Sequence, residues 1–100
     1  MLINYIIYVN HLYNMNLELI NWIKDGKYRI NTLELLNSRP LLSSELASKL
    51  DINRASMSRI LRGLKERELV SPISNNSRTV TYTITKKGKE LLKTVKRNEK

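Results

Sequence analysis

A chain of 100 residues with 18 Lys and Arg against 9 Asp and Glu, a net charge of +9, is sized for one domain with one modest core and charged for a polyanionic partner. It has no cysteine and one histidine, His11, which excludes a cysteine-bearing zinc site, a thiol sensor and a Cys/His catalytic pair within one chain. Glu18, Asp25, Glu34, Glu45 and Asp51 are scattered, with no motif joining them to a nucleophile or metal ligand, so neither an enzyme nor a cofactor is expected.

The charge is unevenly placed. Residues 1–50 hold five Lys/Arg and four Asp/Glu, whereas residues 51–100 hold thirteen and five. This asymmetry points to nucleic acid or an anionic membrane surface, with part of it supplied by the basic tail. Asn4, Asn10, His11, Asn14, Asn16 and Glu18 interrupt the apolar N-terminus, so no run is long enough to span a membrane. A positive leader region and a small-residue cleavage site are also lacking, which leads us to expect a cytoplasmic protein with no membrane partner.

In chain order, residues 1–25 form the first segment. Tyr5, Leu12 and Leu19 are seven apart, and Tyr8, Met15 and Trp22 are offset from them by three, giving an a/d seam over three heptads. A helix is expected, although the opening Leu-Ile-Asn-Tyr-Ile-Ile-Tyr-Val also has strand character. So much apolar surface suits either a homodimerisation helix, whose seam meets its partner's, or a helix lying across its own domain. A ligand pocket lined by Tyr5, Tyr8 and Tyr13 is a further reading, and no effector is specified.

Asp25-Gly26 breaks this segment. A helix follows over 28–38, with Ile30, Leu33 and either Leu35 or Leu36 turned inward, and Pro40 ends it. Leu41 and Leu42 should pack beneath a short helix that Ser43 caps and that buries Leu46, Ala47 and Leu50. Asp51-Ile52-Asn53 forms the turn, and Asn53 caps the next helix.

That helix, from Arg54 to about residue 67, divides cleanly at about 100° per residue. Met57, Ile60, Leu61 and Leu64 fall on one face; Ala55, Ser58, Arg59 and Arg62 fall on the other. The small residues permit close approach to a major groove, and Arg59 and Arg62 reach guanine edges or phosphates. Taken alone, the same face is also what a solvated basic helix looks like.

Residues 69–74 and 79–85 read as strands, the second with strict alternation of Val80, Tyr82 and Ile84. Between them Asn75-Asn76-Ser77-Arg78 makes a hairpin tip. Thr85 is the N-cap expected for a last helix that turns Leu91, Leu92 and Val95 inward, and residues 96–100 are a basic tail adding non-specific attraction.

The run from Leu42-Ser43-Ser44-Glu45-Leu46-Ala47 through Ile52-Asn53-Arg54-Ala55-Ser56-Met57-Ser58-Arg59 to Glu68-Leu69-Val70 resembles the helix-turn-helix of winged-helix transcriptional regulators of the MarR and ArsR type. Gly26-Lys27-Tyr28-Arg29-Ile30, with Leu33 and Leu36, resembles the first helix of their small archaeal relatives, and Thr85-Lys86-Lys87-Gly88-Lys89-Glu90-Leu91-Leu92 resembles the entry to their last helix. The likeness covers residues 26–92. It implies a mainly α fold with a small β-hairpin: a winged helix-turn-helix over 26–95 with an added N-terminal helix.

The resemblance also implies a homodimeric regulator of double-stranded DNA, with the helix from Arg54 in the major groove and residues 75–78 as a wing at the minor groove. Ser43, Ser44, Asn53, Arg54, Ser56, Ser58, Arg59, Arg62, Asn75, Asn76 and Arg78 are the expected contacts. Arg78 either inserts into the minor groove or touches phosphate. A winged-helix module contacting protein within a transcription complex is the alternative function.

Two positions depart from the family pattern. Glu68 stands where a glycine usually ends the recognition helix, which puts that left-handed cap in question. Gly63 sits inside the helix, where it either admits the DNA backbone or marks a bend or early end.

Overall fold

The computed structural model describes residues 17–74, 76 and 78–97. Helix α1 covers 17–25, followed by α2 (Arg29–Ser38), β1 (Leu41–Leu42), α3 (Ser43–Leu50), α4 (Arg54–Glu66), β2 (Val70–Ser74), β3 (Val80–Ile84) and α5 (Lys86–Arg97). The strands form one antiparallel sheet in the order β1-β3-β2. Val70 pairs with Ile84 at the base of the hairpin and Ser74 with Val80 near its tip.

One core serves every element. Ile23 of α1, Leu33 and Leu36 of α2, Leu46 of α3, Met57, Leu61 and Leu64 of α4 and Leu91, Leu92 and Val95 of α5 are all buried in it. Each such side chain contributes about 1.5–3 kcal/mol by leaving water. Because Ile23 is fully enclosed, α1 packs as part of the domain whose start the sequence suggests at residue 26.

Helix α2 buries one polar side chain, Thr32, whose hydroxyl donates to the Tyr28 carbonyl at 2.8 Å, so no polar group is stranded. Arg39 then turns extended ahead of Pro40, as the residue before a proline must. Leu41 and Leu42 do more than pack beneath α3: they pair with Tyr82 and Thr81, adding a third strand that the sequence does not announce. Two residues are too few to display an alternation.

Ser43 is not the cap of α3. It is the first helical residue, the N-cap is Leu42, and the end is closed by Glu45, whose Oε1 accepts the Leu42 N–H at 2.9 Å. This is half of a capping box, the half that needs no hydroxyl at the cap. The other expected caps form: Asn53 Oδ1 accepts from Ser56 N at 2.8 Å and Thr85 Oγ1 from Gly88 N at 3.0 Å.

Both helices of the helix-turn-helix end on a left-handed residue that is not glycine. Asp51 has φ 56° and Glu68 has φ 62°. Around Glu68 the closing bonds run from Glu68 N to Lys65 O and from Leu69 N to Leu64 O, each 2.9 Å, the pattern of a Schellman cap. The left-handed cap is therefore made without the family's glycine, at a conformational cost of about 1–2 kcal/mol.

Gly63 fits neither reading offered by the sequence. Helix α4 runs through it unbroken, and its Cα faces inward on α1: a Cβ there would lie 3.1 Å from Trp22 Cζ2. The missing side chain makes room for an indole, not for DNA.

Candidate nucleic-acid interface

Asn53 fixes where α4 begins, and the buried face of Met57, Leu61 and Leu64 fixes its rotation. Arg54, Ala55, Ser58, Arg59 and Arg62 are thereby left exposed along the outside of the helix. Ser56 is half-buried; its amide serves the cap, and its hydroxyl stands 3.5 Å from Arg59 Nη2. Asn53 and Ser56 thus shape the start of α4.

The wing is shaped by a side chain. Asn76 Oδ1 accepts from the amides of Arg78 and Thr79, each at 2.9 Å, and Ser74 Oγ donates to the Asn76 carbonyl at 3.0 Å. This Asx-type turn carries the exposed Arg78 outward. Asn75, the other expected tip contact, lies outside the described residues.

Between the start of α3, α4 and the wing lies an open cleft of about 430 Å³, which brings together Ser43, Ser44, Arg54, Ser58 and Arg78. Arg59 and Arg62 continue the exposed face of α4 beyond it. Ser43 and Ser44 occupy the first helical positions of α3, where amides lack intrahelical acceptors. Thr79, Val80 and Tyr82 also line the cleft and were not expected there. Alternation gives the side of a strand, but not that this side extends past the core into a cleft.

Charge on this side is unbalanced. Among the described residues the ion pairs are Arg39–Glu45 at 3.4 Å and Lys96–Glu34 at 3.1 Å, so Arg54, Arg59, Arg62 and Arg78 have no carboxylate partner. Arg54 also stands in the first turn of α4, which has no acidic residue, on the positive end of the helix dipole. Such a surface favours an external anion. Glu45, behind the start of α3, is held below the usual carboxylate range by the Leu42 N–H first and then by Arg39, so it stays charged.

Two expected seam residues lie in α1. Leu19 and Trp22 are half-buried against their own core, so this part of α1 lies across its own domain while part of each side chain stays open. Arg29 and Arg67 stack on the Trp22 ring at 4.0 and 3.7 Å from its centre, and the Arg29 guanidinium also donates to the Trp22 carbonyl. Tyr5, Tyr8, Leu12 and Met15 lie outside the described residues.

The sequence matches the HVO_A0261 N-terminal domain family over residues 19–100. The chain belongs to this family. Its fold is that of the MarR-type winged-helix regulators, and the HVO_A0261-type domain is similar to several solved members. Lactococcus lactis ZitR in complex with DNA aligns with a TM-score of 0.63 and 27% identity over 68% of this chain and 48% of ZitR. The S. aureus MepR–DNA complex aligns at 0.69 and 16% identity over 94% of this chain and 81% of MepR. The transcriptional regulator BldR from Sulfolobus solfataricus aligns at 0.70 and 18% identity over 95% and 73%. The chain thus spans about half the length of ZitR. No curated protein sequence matches it. Among the described residues, no helix is long and apolar enough to cross a membrane, and no group of His, Asp and Glu could hold a metal ion.

Proposed function

We propose that the chain is a transcriptional regulator that binds double-stranded DNA sequence-specifically as a homodimer. The observation that carries this reading is a set of four exposed arginines that have no carboxylate partner among the described residues: Arg54 of α4 and Arg78 of the wing share the cleft, and Arg59 and Arg62 continue the outer face of α4. In this reading α4 enters the major groove. Ala55 and Ser58 admit close approach, and Arg59 and Arg62 read guanine edges or hold phosphate. Amides at Ser43 and Ser44 hold phosphate, and Arg78 lies at the minor groove.

Two of the similar structures, ZitR and MepR, are complexes with DNA, which favours this partner. The alternative, a winged helix that contacts protein, calls for apolar anchors on α4, and the exposed positions of α4 carry no large apolar side chain. A homodimer is favoured by the heptad spacing of Tyr5, Tyr8, Leu12 and Met15 and by Leu17, 44% exposed at the start of described α1. Two protomers would set their α4 helices about one helical turn apart on a roughly palindromic site.

Selection from a random duplex library, with sedimentation of the complex, tests the reading. The expected result is a two-fold-symmetric motif bound by a dimer, with half-sites about 10 base pairs apart. Recovery of unenriched sequence by a monomer would contradict it.

A further inference from the structure

Helix α5 carries cations that the groove-binding face does not use. Its buried side is Gly88, Leu91, Leu92 and Val95. One flank, with Lys87, Glu90 and Thr94, borders a small cleft shared with Leu19 and Ile20 of α1, and on the other flank Lys96 pairs with Glu34. What remains outward is Lys86, Lys89, Lys93 and Arg97, all exposed, at i, i+3, i+7 and i+11. They form a straight stripe about 16 Å long at 1.5 Å per residue. Among the described residues none of the four has a carboxylate partner.

The stripe does not share a side with Arg54, Arg59, Arg62 and Arg78. Gly88 sits on the Leu69 carbonyl, where a Cβ would come within 2.3 Å of the oxygen, so α5 starts at the base of the hairpin, the end opposite the tip that carries Arg78. Helices α4 and α5 bury their apolar faces in the same core and each turns its basic face out of it, the stripe of α5 running from the hairpin base.

We infer that this stripe holds the phosphate backbone of a second segment of duplex DNA, so that the protein bridges two segments. The inference rests on the DNA-binding reading above. The chemistry selects the occupant. Protein interfaces are anchored by aromatic residues and depleted in lysine, and the stripe is lysine-rich with no apolar member. A membrane-surface helix inserts an apolar face, and the apolar face of α5 is already buried. Lysines in a row neutralise phosphates without reading bases. The occupant is a second segment because carrying one duplex from α4 round to α5 needs a sharp bend, at a cost of about 1–6 kcal/mol for 40–90° over 20–30 base pairs, which a separate segment avoids.

The test compares the wild-type chain with the triple variant Lys86→Gln, Lys89→Gln and Lys93→Gln, whose glutamines keep helix propensity. Two quantities are read: anisotropy of one labelled random duplex, and capture of that duplex by a second duplex tethered to beads. The expected result is capture by wild type that falls at least about tenfold in the variant, while single-duplex affinity changes by less than about threefold.

Capture that survives in the variant would overturn the inference and assign bridging to the paired α4 helices. An equal fall in both quantities would overturn it by putting the stripe on the same duplex. Absence of single-duplex binding by wild type would overturn the groove reading and the inference with it. Wild-type binding to polyglutamate that the variant loses, with no duplex capture, would assign the stripe to an acidic protein instead.

Discussion

The indole of Trp22 lies on Gly63, close enough that a methyl group at residue 63 would stand 3.1 Å from Trp22 Cζ2. Arg67 stacks on the same ring and its guanidinium lies 3.4 Å from the Gly63 carbonyl, while Arg29 stacks on it from α2. The indole has little freedom to withdraw. Trp22→Ala is therefore expected to cost about 2–3 kcal/mol, below the roughly 3–5 kcal/mol of a fully buried tryptophan because the ring is half-exposed. Gly63→Ala should fail to deliver the gain of about 1 kcal/mol that helix propensity offers, and should deliver it once Trp22 is alanine. A double-mutant cycle in urea checks this; additive effects would refute the contact.

Glu68 at φ 62° predicts a stabilising substitution. Glu68→Gly should raise stability by about 1 kcal/mol, since glycine takes this conformation without a Cβ clash, and Glu68→Ala should not. Thermal melting of the two variants separates a backbone effect from a charge effect.

Gly88 predicts the opposite. A Cβ there meets the Leu69 carbonyl oxygen at 2.3 Å and Ile84 Cγ1 at 2.8 Å, and the first is backbone that cannot rotate away. Gly88→Ala should cost about 3 kcal/mol or more, read from the urea midpoint, by lifting the start of α5 off the hairpin.

The Glu45 carboxylate is stabilised in the fold by the Leu42 N–H at 2.9 Å and then by Arg39. Its depressed folded pKa gives stability that is full above the unfolded carboxylate pKa and is lost as pH falls through the folded value. Glu45→Gln should therefore be less stable than wild type at neutral pH, and the gap should close under acid. Urea midpoints across a pH series read this directly.

The parts legible in the sequence were those set by local rules. The two faces of α4, the Asn53 and Thr85 caps and the pairing of β2 with β3 follow from helical period, capping chemistry and alternation. The parts that were not legible depend on residues distant in the chain. Gly63 is explained by Trp22, the pairing of Leu41 and Leu42 by β3, and the reach of Tyr82 into the cleft by where α3 begins. Glu68 is intermediate: the sequence marks the missing glycine, and only the hydrogen bonds around it reveal that the cap forms regardless.

The most direct measurement of the central claim is fluorescence anisotropy of a labelled random duplex over a salt series, for wild type and for the double variant Arg59→Ala, Arg62→Ala. If α4 and the wing hold the duplex, wild-type affinity falls by orders of magnitude between about 50 and 200 mM salt, and the variant binds more weakly with a shallower slope, by about two units on a logarithmic plot. Absence of binding at low salt, or the same slope in the variant, would contradict the assignment of this face to DNA.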